Sequence, residues 1–117
     1  MTPAPVKPSI PASTLEAIDV RVGTISNVEE VPKSDRLLRL TVTFGDHTRK
    51  ILAGMKQERS DWAALVGRQA LFVVNLAPRK MAGQISEAML LDIGYADGIT
   101  PVLAIPERPT PNGVRAG

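Results

Sequence analysis

Residues 37–54, LLRLTVTFGDHTRKILAG, constrain the fold more than any other stretch. Leu38, Leu40, Val42 and Phe44 alternate with Arg39, Thr41 and Thr43. A period of two places one set on each face of a strand, so this is a half-buried strand with an apolar inner face. Gly45–Asp46 is a two-residue hairpin signal of the Gly-first kind, and residues 47–54 return as the partner strand. The chain has 117 residues, enough for one compact core.

The neighbouring segments extend the pattern. Ile18, Val20 and Val22 fall on even positions, whereas Ile25 and then Val28 follow Gly23. That parity change predicts a bulge or bend at Gly23 in a long first strand serving two sheets of a small barrel. STLEAID before it is a short helical start, with Ser13 or Thr14 as cap and Glu16 near the third position. Residues 1–13 hold four prolines and no continuous apolar run, which predicts a mobile or extended arm and not a signal peptide.

Beyond the hairpin, Ser60 or Asp61 is placed to cap a short helix and Gly67 to end it. QALFVVNL (69–76) is a buried strand and AMLLDIG (88–94) a last one. The order is β-β-β-α-β-β, with no parallel crossover. It predicts an all-β chain: a five-stranded Greek-key barrel of the OB type, with a short helix between strands 3 and 4 and flanking terminal segments. The barrel is complete near Gly94, yet the tail carries Ile99, Val102, Leu103 and Ile105. So apolar a tail must pack either on the barrel's own side or on a second subunit.

The formal charge is only +2, but it is unevenly spread. Residues 33–59 hold seven basic and three acidic residues, while residues 1–32 hold two and four. OB-folds bind ligands on the face of strands 2 and 3, between the 1–2 and 4–5 loops. Lys33 and Arg36 fall in the first loop, Arg39 and Arg49 on strands 2 and 3, Lys56 and Arg59 after strand 3, and Arg79 and Lys80 in the 4–5 loop. Brought to one groove, these cations would track a phosphate backbone; as a solvated face they would carry no function.

Aromatics narrow the choice. Phe44 and Phe72 fall on core positions, and Trp62 packs the short helix. Without an aromatic stacking platform, nucleic acid would be held by shape and phosphate contacts, as with a folded RNA. Met55 and Met81 sit in loops beside the cations, and adaptable thioethers there also suit a peptide; Met89 reads as core filler.

Nothing points to catalysis, a metal or a cofactor. His47 is the one histidine and sits at the hairpin turn, Ser34–Asp35 is turn chemistry, and no phosphate loop or metal-ligand cluster is present. The chain has no cysteine, which excludes disulfides and thiolate sites and fits a cytoplasmic protein. No segment approaches the roughly 18 apolar residues of a membrane span.

DVRVGTI, VPKSDRLLRLTV, ILAGMKQE, GRQALFVVNLAPRKMAGQISEAMLL and GITPVLAIPERPTPNGVRAG together resemble the tRNA-binding OB-domain family, from about residue 14 to 117. NLAPRKM at 75–81 is the specific element. Within the family the chain is most similar to stand-alone bacterial members that are export-related chaperones. The resemblance implies a non-catalytic homodimer that binds unfolded preprotein segments and also tRNA by its folded shape. It implies dimerisation through the flanking segments, here about residues 95–117. Relatives that act as structure-specific tRNA-binding modules, alone or with an aminoacyl-tRNA synthetase, give the alternative. In the 4–5 loop it implies that Pro78 stiffens, Arg79 and Lys80 meet phosphate, Gly83 reverses the chain and Ser86 ties it to its own backbone. Tight tRNA binders of the family often carry Lys where Ala77 stands and Arg where Ala82 stands, and the family usually has Gly in place of Ala88. The missing cations point towards the chaperone branch.

Overall fold

A computed structural model describes residues 1–117. Its spine is β1 (Val20–Glu30). The first half of β1 pairs with β4 (Gln69–Val73), from Val20↔Val73 to Thr24↔Gln69. The second half pairs with β2 (Leu38–Thr43), from Thr24↔Thr43 to Glu30↔Leu38. One strand thus serves two sides of a barrel, as expected. The register break lies between Ile25 and Asn27, however, and not at Gly23. Gly23 answers a different need: a Cβ there would stand 2.5 Å from Val42 Cγ1 and 2.9 Å from Phe44 Cε1. Only hydrogen leaves room for the facing core residues.

β2 and β3 (Thr48–Ala53) form the expected hairpin, with Thr43↔Thr48 flanking Gly45–Asp46. Gly45 has φ of 99° and Asp46 is not among the positive-φ residues, so the turn has the Gly-first form. Leu38, Leu40 and Val42 are fully buried, and Phe44 meets the Phe72 ring edge-on at 5.6 Å.

The continuous sheet runs β3-β2-β1-β4-β7, where β7 is Met89–Leu90. It curls until the segment before β7 meets β3. Glu87 N donates to Lys50 O at 2.9 Å, Lys50 N to Glu87 Oε1 at 2.8 Å, and Leu52 N to Ser86 Oγ at 3.0 Å. The result is a nearly closed five-stranded antiparallel barrel of the OB kind. Between β3 and β4 the expected helix is a single 3-10 turn, Trp62–Leu65, whose Leu65 is buried in the core. Asp61 precedes it but makes no side-chain cap bond, and Gly67, with φ of 89°, ends it by donating to Ile25 O at 2.7 Å.

Two local expectations are corrected. The amino-terminal helix α1 (Ala12–Glu16) starts before Ser13, with Pro11 in the cap position and no side-chain cap. Proline's fixed φ already suits that place, so no hydroxyl cap is needed to start the turn. The 4–5 connection is not an irregular loop: β5 (Arg79–Met81) pairs with β6 (Gln84–Ser86) across Ala82 and Gly83.

The tail lies on the barrel's own side over much of its length. β2 leaves the first half of β1 with an open edge, and unpaired edges need cover. β10 (Arg115–Ala116) pairs there with Arg21 and Val20, while Gly113 N donates to Val22 O at 2.8 Å and Val22 N to Val114 O at 3.0 Å. β8 (Asp92–Ile93) pairs with β9 (Val102–Leu103), which buries Leu103 in the core. Ile93, Ile99, Val102 and Ile105 remain about half exposed.

Candidate nucleic-acid and peptide interface

The β2–β3 register decides which side chains share the binding face. Arg39 stands opposite Leu52, Thr41 opposite Lys50 and Val42 opposite Arg49. Strand alternation then puts Arg39, Thr41, Lys50 and Leu52 on the outer face, and Arg49 on the side of Val42 and Ile51. Lys50 Nζ donates to Thr41 Oγ1 at 2.7 Å, across that outer face. Lys50 is absent from the sequence-based site. The two-residue turn already implied 43↔48 pairing, hence 41↔50, and that count would have found it.

Arg49 reaches the open end of the barrel instead. Its Nη1 donates to Val74 O at 2.7 Å and Glu87 O at 3.1 Å, its Nε to His47 Nε2 at 3.1 Å, and its guanidinium lies 5.8 Å from the Phe44 ring centre. An Nε2 that accepts carries no proton, so the proton of neutral His47 sits on Nδ1, 2.6 Å from Asp46 Oδ1. That bond, with one from the backbone, holds the Asp46 carboxyl below the usual carboxylate range. Nearby, Arg21 donates to both oxygens of Asp19 at 2.7 and 3.0 Å, which lowers the Asp19 carboxyl and raises the Arg21 guanidinium.

Lys56 is also engaged. Its Nζ lies 3.1 Å from Ser34 O, 3.4 Å from Glu30 Oε1 and 5.8 Å from the Trp62 ring centre. It clamps the 1–2 loop to the segment after β3. Ser34 shapes that loop as expected of turn chemistry, its Oγ accepting from Leu37 N at 3.0 Å and Arg36 N at 3.3 Å.

The remaining expected cations make no hydrogen bond or ion pair through their charged groups. Lys33 is exposed with φ of 70° in the 1–2 loop, and Arg36 follows it. Arg39 is half-buried on β2. Arg79 and Lys80 are exposed on β5, where Arg79 faces Ser86 and Lys80 faces Ile85 across the ladder. Alternation puts Arg79 on the side of Met81 and turns Lys80 to the opposite side.

Arg79 and Met81 line a groove of about 450 Å³, a size that takes a peptide side chain or small ligand. Leu52, Met55, Ala88 and Leu90 line it too, Arg36 joins Arg79 in it, and Tyr95 comes from the tail. Ten of its seventeen lining residues are apolar, and Glu58 and Asp92 stand in it against the two arginines. Met55 and Met81 both line the groove beside the two arginines, whereas Met89, expected as core filler, is exposed. Met55 is buried in the core, Met81 packs against Val31, Leu37 and Leu52, and Met89 is 43% exposed at the groove. No group of His, Asp or Glu is placed to hold a metal ion, and no helix is long and apolar enough to cross a membrane.

Such a groove, beside a β2–β3 face and a cationic hairpin, is the arrangement of an OB-type binding domain. Residues 20–115 match the family described as "Putative tRNA binding domain", and the chain belongs to that family. It is 43% identical over 100 residues to a methionine–tRNA ligase of Chloroherpeton thalassium, a match covering 86% of this chain and 14% of that protein. In structure it resembles a MetRS-related protein of Pyrococcus horikoshii, with TM-score 0.86, 27% identity and coverage of 95% of this chain and all of the other. It also resembles the chaperone CsaA of Bacillus anthracis, with TM-score 0.82, 29% identity and coverage of 94% and 100%.

Proposed function

We propose that this chain is a non-catalytic, CsaA-like chaperone of the cytoplasm that holds extended apolar segments of unfolded preproteins and engages tRNA on the rim of the same site. The observation that carries this reading is the groove between β3, the β5–β6 hairpin and the tail, apolar within and bearing Arg36 and Arg79 together with Glu58 and Asp92. An apolar interior rewards burial of a client's hydrophobic side chains, and the adaptable thioethers of Met81 and Met89 tolerate varied shapes. The flanking cations suit the phosphates of a folded RNA. Half-exposed Ile99, Val102 and Ile105 support a homodimer built through the carboxy-terminal segment.

A second reading is a structure-specific tRNA module acting in translation or with an aminoacyl-tRNA synthetase. The similarity to a stretch of a methionine–tRNA ligase favours it.

Paired titrations separate the two. A labelled extended apolar peptide and a labelled tRNA are titrated at low and high salt. The variants are Met89→Asp and the Arg79→Ala/Lys80→Ala double substitution. The chaperone reading expects salt-tolerant peptide binding that Met89→Asp abolishes and the double variant retains. It expects salt-sensitive tRNA binding that the double variant loses. Absence of peptide binding sinks the chaperone reading and leaves the tRNA module; absence of tRNA binding at low salt removes that module. Sedimentation as a monomer at micromolar concentration would sink the dimer.

A further inference from the structure

Two carbonyls, Val74 O and Glu87 O, accept hydrogen bonds from one nitrogen, Nη1 of Arg49, at 2.7 and 3.1 Å. These residues stand at the fork where the hairpin-bearing connection leaves the barrel. The β4–β7 ladder ends at Val73↔Met89, one residue before Val74 and two residues from Glu87. Beyond it the two chains diverge, and the segment between them carries Arg79, Lys80 and Met81.

We propose that Arg49 is a positioning residue for the hairpin: a latch that closes this fork and so fixes where Arg79, Lys80 and Met81 stand, without meeting the RNA itself. The part concerning RNA rests on the tRNA-binding reading above; the part concerning the hairpin does not.

Three features of the site support the assignment. First, the guanidinium is engaged on the barrel side through Nε and Nη1, while Nη2 makes no hydrogen bond. Its Nε donates to His47 Nε2 at 3.1 Å, and the group lies over Phe44, which itself stacks on His47 with 5.5 Å between ring centres. A guanidinium held through Nε and one terminal nitrogen has few alternative rotamers, which suits a latch. Second, the register turns Arg49 towards the Val42 side of the sheet, away from the face bearing Arg39 and Lys50. Third, the Val74 foot has little else joining it to the other foot. Val74 N donates to Asp19 O, and Asn75 bonds Ala17 O and Asp19 N, all on the amino-terminal side. The Glu87 foot is tied to β3 through Lys50. Arg49 bridges the two.

Removal of the latch leaves the charges of the hairpin unchanged but spreads their positions. If the binding-competent arrangement falls to about a third of the population, apparent affinity falls about threefold, while the number of phosphates neutralised stays constant. A direct phosphate contact behaves differently: its loss lowers the slope of log K against log salt by about 0.7–0.9.

The experiment compares wild type, Arg49→Met, Arg49→Lys and Arg79→Ala. Backbone order parameters are measured at Lys80, Met81, Gln84 and Ile85 without RNA, and tRNA is titrated across a salt series. In Arg49→Met the hairpin order parameters should fall from rigid-strand values of about 0.85 towards about 0.6, while those of β1 and β2 hold. Its tRNA affinity should drop at least about threefold with an unchanged salt slope, whereas Arg79→Ala should flatten the slope. Should Arg49→Met not fold, Arg49→Lys, which keeps the charge but loses the fork, must show the same loss of order. An unchanged hairpin in the variants overturns the latch, and a flattened slope in Arg49→Met with the hairpin still ordered makes Arg49 a phosphate contact instead. Loss of order without any tRNA binding, wild type included, keeps the latch and removes only the RNA reading.

Discussion

Ser86 Oγ accepts the amide of Leu52 at 3.0 Å and donates to Ala88 O at 2.9 Å, so one buried hydroxyl fastens the foot of the β5–β6 hairpin to β3. This is the main-chain tie expected of Ser86, with a second partner across the barrel seam. β3 and β7 exchange few direct backbone bonds here, and the hydroxyl substitutes for one.

Ser86→Ala should therefore leave the Leu52 N–H buried without a partner, and a donor orphaned in this way costs about 1–3 kcal/mol. Urea unfolding should show a lower midpoint with an unchanged slope. A midpoint equal to wild type would mean that water or a shifted backbone replaces the hydroxyl.

Gly23→Ala should destabilise by about 1–3 kcal/mol through overpacking, because the new methyl would meet Val42 and Phe44. A bulge glycine would respond differently, since alanine at a non-positive φ is tolerated there. Gly23 has no positive φ, so backbone strain contributes nothing. A neutral urea midpoint for this variant would contradict the close approach.

The same glycine shows what was legible in the sequence. The parity change between Val22 and Ile25 is real, but those residues serve opposite faces of β1, so no bulge is needed between them. Leu38, Leu40, Val42 and Phe44 could be placed because strict alternation and a two-residue turn leave one register. The β5–β6 hairpin was hidden because its turn is Ala82–Gly83 and lacks the Asn or Asp that marks such turns. The edge pairing of Arg115–Ala116 rests on a two-residue ladder, too short for any periodicity. For the site, residue type identified the cations. It could not tell Arg79 and Lys80, which are unengaged, from Arg49 and Lys56, which are held by carbonyls.

Asp19 and Asp46 couple stability to acid. Both carboxyls are depressed from an ordinary value of 3.8, Asp19 chiefly by the Arg21 hydrogen bond and Asp46 chiefly by His47. A depressed carboxyl contributes stability that is present above its unfolded pKa and is lost as pH falls through the folded value. The melting temperature should thus hold from neutral pH to about pH 5 and drop below about pH 4. Asp19→Asn should flatten part of that drop; parallel curves for variant and wild type would exclude the Asp19–Arg21 pair as a contributor.

Ala82 has φ of 49° and Gly83 φ of 78°, the paired positive angles of a hairpin turn of the primed type. An alanine pays for the left-handed region, whereas asparagine enters it readily. Ala82→Asn should stabilise the hairpin by on the order of 0.5–1 kcal/mol, visible as a higher urea midpoint or as slower amide exchange at Lys80 and Ile85. Faster exchange would show that the turn departs from this geometry.

Ala82→Arg tests the electrostatics of the same tip. Arginine meets much the same backbone strain as alanine, so the turn should persist while one cation is added next to Met81. Ala82 is exposed and no residue crowds the tip, since a Cβ on the adjacent Gly83 would touch nothing within 4 Å. If RNA phosphates lie along the hairpin, the variant should bind tRNA more tightly at low salt. The slope of log K against log salt should steepen by about 0.7–0.9, one further neutralised phosphate. Peptide binding in the groove should not change, because the new side chain projects from the turn and not from the Arg79–Met81 face. A salt series with labelled tRNA reads the slope directly. An unaltered slope would place the RNA away from the hairpin tip, on the β2–β3 face that carries Arg39 and Lys50.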